Sequence, residues 1–369
     1  MKIKAVDTFI LRGNGKQGAY GDLHAFLVRV ATDDGLVGWG EADSHPHMLR
    51  AAVEAPMLND VTSGLAAAII GRPALDISGA WHAMERTTSY AARDGVTRIA
   101  MAAIDLALWD LRGKEAGKPV HALIGAARRK KLPYYMTYRL GETPEETEAN
   151  ARFVRDYGAP AGKFGWHPLG RGAREDEAIV EALRSGLGAD RALLVDGCNV
   201  YDVESAIARA EMMARYDVYW FEEPLRPYDI EGYRQLRRKA RLPITAGEVA
   251  SDVEELSRLI EGECVDIVQI DLARTGMTQA LRVAELAEKH GVRCVNHTYT
   301  LDINLAASMH LMAVLPQIDL LECQLNANEL RDKLLAPKFV LENGHALVPD
   351  LPGLGVEPDA EALDRFSID

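Results

Sequence analysis

Cysteine is scarce in this chain. Cys198, Cys264, Cys294 and Cys323 are the only four in 369 residues, and none shares a C-x-x-C spacing. They fall in or beside predicted strands, so free thiols are expected rather than a disulfide framework or a zinc site. Positive charge is also in short supply: 42 Lys and Arg stand against 55 Asp and Glu, a net charge of −13. That balance leaves no electrostatic footprint for nucleic acid or for an anionic membrane, and acidity that mainly serves solubility names no partner. Long apolar runs are missing. The segment Met1–Asp7 lacks the apolar core of a signal peptide, and Ile99–Trp109 is interrupted by Asp105 and too short to span a bilayer. A cytoplasmic location is the expectation. Nor is there a phosphate loop, because Gly158-Ala-Pro-Ala-Gly-Lys163 is one residue short of that spacing and Phe164 follows it.

What remains is ordinary globular composition, 48% hydrophobic and 26% charged. The length suits a barrel of roughly 200 to 250 residues plus a smaller unit. The texture changes near residue 130. Before it, 2–12, 25–32 and 37–41 read as strands, the last two joined by the turn Asp33-Asp34-Gly35. A helical pattern then covers 96–117, with Ile99, Ala102, Ala103, Leu106, Trp109 and Leu111 forming an apolar stripe. After Lys130-Lys131 short strands alternate with helices: 132–138, 161–164, 192–195, 219–221, 244–246, 267–270, 293–295 and 320–321. Repeated βα units of this kind build a parallel barrel. Beyond Asn326 the repeat stops, and a turn-rich tail is expected to pack back on the first unit.

Three acidic residues mark consecutive strand ends at equal intervals. Asp196, Glu222 and Glu248 are each 26 positions apart, about the length of one βα unit. In a barrel these ends open on one face, so three hard oxygen ligands converge there. Such carboxylates repel one another unless a cation sits between them, which is the logic of a divalent-metal site. The other strand ends carry Tyr138-Arg139, Lys163, Asp271, His297 and Glu322. His297 suits a general base, and Asp271, one strand earlier, can accept the ring's other N–H.

The ordered set resembles the mandelate racemase branch of the enolase superfamily. Lys163, Val195-Asp-Gly-Cys-Asn199, Trp220-Phe-Glu-Glu-Pro-Leu225, Thr245-Ala-Gly-Glu248, Val265-Asp-Ile-Val-Gln-Ile-Asp271, Asn296-His297 and Leu321-Glu322 match its successive strand-end motifs. Gly38-Trp-Gly-Glu-Ala42 and Ile104-Asp-Leu-Ala-Leu-Trp-Asp-Leu-Arg-Gly113 match outside the barrel. The resemblance implies an α/β protein, a (β/α)7β TIM-like barrel over residues 129–326. An α+β capping domain over 1–128 would be completed by the tail 327–369. It also implies one Mg2+ held by Asp196, Glu222 and Glu248, a His297–Asp271 dyad, a small-molecule carboxylate substrate and a homo-oligomer.

One position departs from that pattern. Racemases of the branch carry Lys-x-Lys on the second strand; here Lys163-Phe-Gly165 retains the first lysine and replaces the second, the base, with glycine. Two-base racemisation is thereby disfavoured. The expected reaction is dehydration of a sugar acid to a 2-keto-3-deoxy acid, with His297 both removing the α-proton and protonating the leaving hydroxyl. Lys163 would support a carboxylate or metal ligand, and Glu322 would donate to a substrate carboxylate. Alternation would put His167 beside Gly165 as a replacement base if the strand ran that far, which would reopen epimerisation or cycloisomerisation. A non-catalytic metal-binding protein is the alternative of another class, but it would have no need of His297 and Asp271. For the substrate's hydroxyls and distal end, Tyr20, His24, His45 and His47 in the first unit and Arg139 past the first barrel strand are the candidates.

Overall fold

The computed structural model describes residues 1–14, 22–90, 92–324 and 328–368. At the N-terminus β1 (Ile3–Gly13), β2 (Leu23–Thr32) and β3 (Val37–Ala42) form an antiparallel meander. The expected hairpin turn joins β2 to β3: Gly35 adopts φ 93° and Thr32 N–H donates to Leu36 O at 2.9 Å, a conformation glycine takes without a Cβ penalty.

Four helices follow, and the last, Val96–Ala116, lies across β3. The sequence pattern suggested one apolar stripe for it, but the helix is buried on nearly every side, Asp105 and Asp110 included. These two buried carboxylates have partners that no periodicity could reveal. Asp105 accepts the N–H of Thr278 at 2.9 Å on a barrel helix, and Asp110 accepts those of Trp39 and Leu354 at 3.0 and 2.8 Å. Close approach explains the glycines of the Gly38-Trp-Gly-Glu motif, since a Cβ on Gly40 would lie 1.8 Å from Ala103 O.

The barrel follows as β4 (Lys131–Arg139), β5 (Ala161–Gly165), β6 (Ala192–Asp196), β7 (Val218–Glu222), β8 (Ile244–Ala246), β9 (Ile267–Ile270), β10 (Arg293–Asn296) and β11 (Leu321–Cys323). Neighbours are parallel in sequence order, and β11 pairs with β4 to close the ring. At the seam between β10 and β11 the Asn296 side chain accepts from Glu322 N–H at 2.8 Å and donates to Glu322 O at 3.3 Å. The fold is therefore a (β/α)7β TIM-like barrel with an N-terminal α+β capping domain. The tail touches both parts: His345–Leu347 pairs antiparallel with β4, while Ser367 bridges to Leu11. All four cysteines are free thiols. Among the described residues no helix is long and apolar enough to cross a membrane.

Candidate active site

The C-terminal ends of β6 and β7 and the turn after β8 bring Asp196, Glu222 and Glu248 together, with one carboxylate oxygen from each lying within 4.8 Å of the others. Burial, reinforced by the charges of Glu222 and Glu248, pushes Asp196 well above the usual carboxylate range. Burial also raises Glu222 to about 7, against the pull of Lys163. For Glu248 burial again favours the neutral acid, but His297 and Lys163 outweigh it and hold the group low. Three crowded oxygen donors, two buried and one half-buried, with net negative charge fit a hard divalent cation, which removes the repulsion that helps raise Asp196.

Lys163 is fully buried beneath this cluster, its ammonium 2.6 Å from Glu222 Oε1 and 3.0 Å from Glu322 Oε1. Burial opposes its charge, but Glu222 and Glu322 prevail and raise its pKa well above the ordinary value. It is paired with these two carboxylates. Glu322 differs from expectation. Oε1 also accepts from the Thr137 hydroxyl, and Oε2 accepts from Thr298 N–H at 2.9 Å, so Glu322 is an acceptor locked into the wall rather than a donor free for substrate.

His297 Nδ1 lies 2.6 Å from Asp271 Oδ2, which assigns the proton to Nδ1 and leaves Nε2 as the basic atom, 3.4 Å from Glu248 Oε2. Burial disfavours the imidazolium, yet Glu248, Glu322 and Asp271 together raise His297 to about 10. Glu248 is the foremost of these charges, so neutralising it by a cation returns the imidazole toward its basic form. Asp271 performs two tasks: Oδ1 caps the next helix through Ala273 N–H at 2.7 Å and accepts from Asn304 Nδ2 at 2.9 Å, while Oδ2 holds the imidazole. Asp43, Asp271 and His297 form a second close group. There Arg274 already supplies the positive charge, 3.1 Å from Asp43 and 4.0 Å from Asp271.

Other expectations do not meet at this cluster. His167 is exposed: β5 ends at Gly165, and Trp166 turns the chain away with φ 71°, so strand alternation stops before it. His24, His47 and Arg139 are exposed too, and among the described residues no hydrogen bond or ion pair joins them to the carboxylates. His45 is likewise exposed, its ring 5.8 Å from that of His47. Tyr20 lies outside the described residues. Glu223, next to Glu222, accepts from Gly247 N–H at 3.2 Å and Asn199 Nδ2 at 3.5 Å. The sequence did not single out Asn304, Thr137 or Arg274. Only Arg274 offered a signal, its i+3 spacing from Asp271 on a helix start.

Comparisons with known proteins identify the family. Residues 146–362 match the enolase C-terminal domain-like family, and residues 17–125 match the mandelate racemase / muconate lactonizing enzyme N-terminal domain. The chain belongs to the enolase superfamily, in its mandelate racemase and muconate lactonizing enzyme branch. It is 31% identical to a D-gluconate dehydratase of Thermoproteus tenax, over 93% of this chain and 70% of that protein. It is 29% identical to a D-galactarolactone cycloisomerase of Agrobacterium fabrum, over 92% and 90% respectively. Among solved structures, the 3,6-anhydro-D-galactonate cycloisomerase of Zobellia galactanivorans superimposes over 100% of both chains, with TM-score 0.89 and 31% identity.

Proposed function

We propose that this chain is a Mg2+-dependent lyase that dehydrates a sugar acid, an aldonate or aldarate, to a 2-keto-3-deoxy acid. Asp196, Glu222 and Glu248 would hold one Mg2+, whose charge stabilises the enediolate formed when the α-proton leaves. His297 Nε2 takes that proton, and the C–H electron pair moves toward the carboxylate. Asp271 steadies the imidazolium through Nδ1. When the electrons return, the β-hydroxyl departs with the proton carried by His297, and the resulting enol tautomerises to the keto acid. Lys163 and Glu322 are positioning residues that fix Glu222 and the seam.

The observation that carries this proposal is the state of the second strand. Gly165 has no side chain, Lys163 is bound between two carboxylates, and His167 faces solvent. Among the described residues this strand thus supplies no partner base for a proton removed on the other face of the substrate, which disfavours racemisation and suits elimination. Cycloisomerisation is the second reading, favoured by the two cycloisomerases among the similar proteins. It uses the same base with a ring oxygen as leaving group. The division at 128/129 and 326/327, a cytoplasmic location and a homo-oligomer belong to the same proposal. Incubating Mg2+-loaded protein with a panel of sugar acids and their lactones in D2O tests it. A keto acid lighter than its substrate by one water, apart from the one deuterium taken up when the enol ketonises, means dehydration, and an isomer whose only mass change is that deuterium means cycloisomerisation. Stereoinversion with exchange would overturn the single-base account.

Two further outcomes are expected. A Cβ on residue 165 would meet Asp196 Cβ at 2.7 Å and Oδ2 at 2.9 Å, so Gly165→Ala displaces a ligand and weakens Mg2+ binding on the order of tenfold to a hundredfold. Titration calorimetry checks this, and unchanged affinity would contradict it. Metal binding must also expel protons, because burial raises Asp196 and Glu222, the latter to about 7. Affinity therefore falls as pH drops below about 7, roughly tenfold per unit for each proton released. Calorimetry in buffers of different ionisation enthalpy reads that proton release directly.

A further inference from the structure

Glu41, at the end of β3 in the capping domain, is fully buried and has no cationic partner within salt-bridge distance among the described residues. Its acceptor atoms are directed into the barrel. Oε1 accepts from the Thr300 hydroxyl and from Leu301 N–H at 2.6 Å; Oε2 accepts from Asn304 N–H at 3.0 Å, 263 positions along the chain. The helix Asp302–Val314 has no cap of its own, because its N-cap residue is Leu301 and makes no side-chain cap bond. A helix start leaves N–H groups unsatisfied and favours a negative charge. Glu41 therefore serves as a cap delivered from another domain.

A single residue, Asn304, separates that cap from the dyad. Asn304, whose N–H Glu41 holds, donates its side-chain amide to Asp271 Oδ1 at 2.9 Å and to His297 O at 3.4 Å. The loop 298–301 between His297 and this helix carries two more of the Glu41 contacts. Asp43, two residues further along the cap, reaches Asp271 from the other side through Arg274. We infer that Glu41 is a positioning residue for the His297–Asp271 dyad, so that docking of the capping domain sets the orientation of the base. This rests on the reading of His297 as the base. It makes the cap a part of proton transfer as well as a cover over the substrate.

The test compares Glu41→Gln, Asn304→Leu and Asp110→Asn as metal-loaded, full-length proteins. Asp110 is an equally buried cap-domain carboxylate that does not reach the dyad, so its variant controls for general loosening. Glu41→Gln should lower kcat on the order of tenfold to a hundredfold with KM unchanged. It should also shift the low-field proton resonance of His297 Nδ1–H, a signal identified by its absence in His297→Asn. Asn304→Leu, with Glu41 intact, removes the link between Glu41 and Asp271 and should shift the same resonance, so the inference can still be overturned if Glu41→Gln does not fold. Asp110→Asn should lower Tm and leave both the resonance and kcat in place. An unmoved resonance in Glu41→Gln or Asn304→Leu overturns the inference, as does an equal shift in Asp110→Asn. The resonance is read without substrate, so a wild type that dehydrated no sugar acid would overturn the functional proposal and leave this test standing.

Discussion

Replacing His297 with Asn should lower kcat for dehydration on the order of 10⁴-fold, the upper end of what a positioned acid–base group supplies. The loss is expected to be that large because, in the proposed mechanism, one imidazole performs two proton transfers, removal at Cα and delivery to the leaving hydroxyl. Among the described residues the structure offers no replacement: Lys163 lies between Glu222 and Glu322, and His167 faces solvent. Asparagine can still accept or donate one hydrogen bond toward Asp271, so the fold and the metal site should persist. Turnover and α-deuterium exchange should therefore vanish together, while Mg2+ affinity measured by calorimetry stays near that of the wild type. Exchange that survived in this variant would show that another group removes the proton.

Lys163→Met should have the largest effect on stability. It leaves Glu222 and Glu322, both fully buried, without their shared ammonium. Breaking a buried ion pair by removing one partner costs about 3–5 kcal/mol. At about 2–4 °C per kcal/mol for large domains, Tm should fall on the order of 10 °C. An exposed pair such as Arg152–Glu148 is screened by solvent and contributes far less. Mg2+ should restore part of the loss, since Glu222 belongs to the proposed metal trio, but not all of it, since Glu322 does not. Thermal melts with and without metal separate these parts, and a variant as stable as the wild type would contradict the role given to this ammonium.

Much of the site could be read from the chain because a βα barrel converts regular spacing into convergence. Asp196, Glu222, Glu248, Asp271 and His297 each follow a short apolar strand, so their meeting at one mouth follows from topology. Lys163 lies buried between Glu222 and Glu322. Alternation would have carried His167 to the site only had the strand continued, but β5 ends at Gly165 and Trp166 takes a left-handed φ of 71°, a conformation that no periodicity signals in a bulky residue. The cap–barrel contacts were beyond reach for a different reason. Glu41 meets Asn304 across 263 positions and Asp105 meets Thr278 across 173, and nothing local in either segment encodes its partner. The helix Val96–Ala116 looked amphipathic because its buried carboxylates counted as a polar face. The short strands of the tail, two or three residues each, are too brief to leave a pattern.

The most direct measurement is α-proton exchange in D2O on a turned-over sugar acid, followed by NMR while the metal is removed and returned. Wild type should exchange with Mg2+, stop on chelation and recover on adding the ion back, and Asp196→Asn, Glu222→Gln and Glu248→Gln should each be silent. Exchange at the wild-type rate in chelated protein, or in any one of those three variants, would contradict the account.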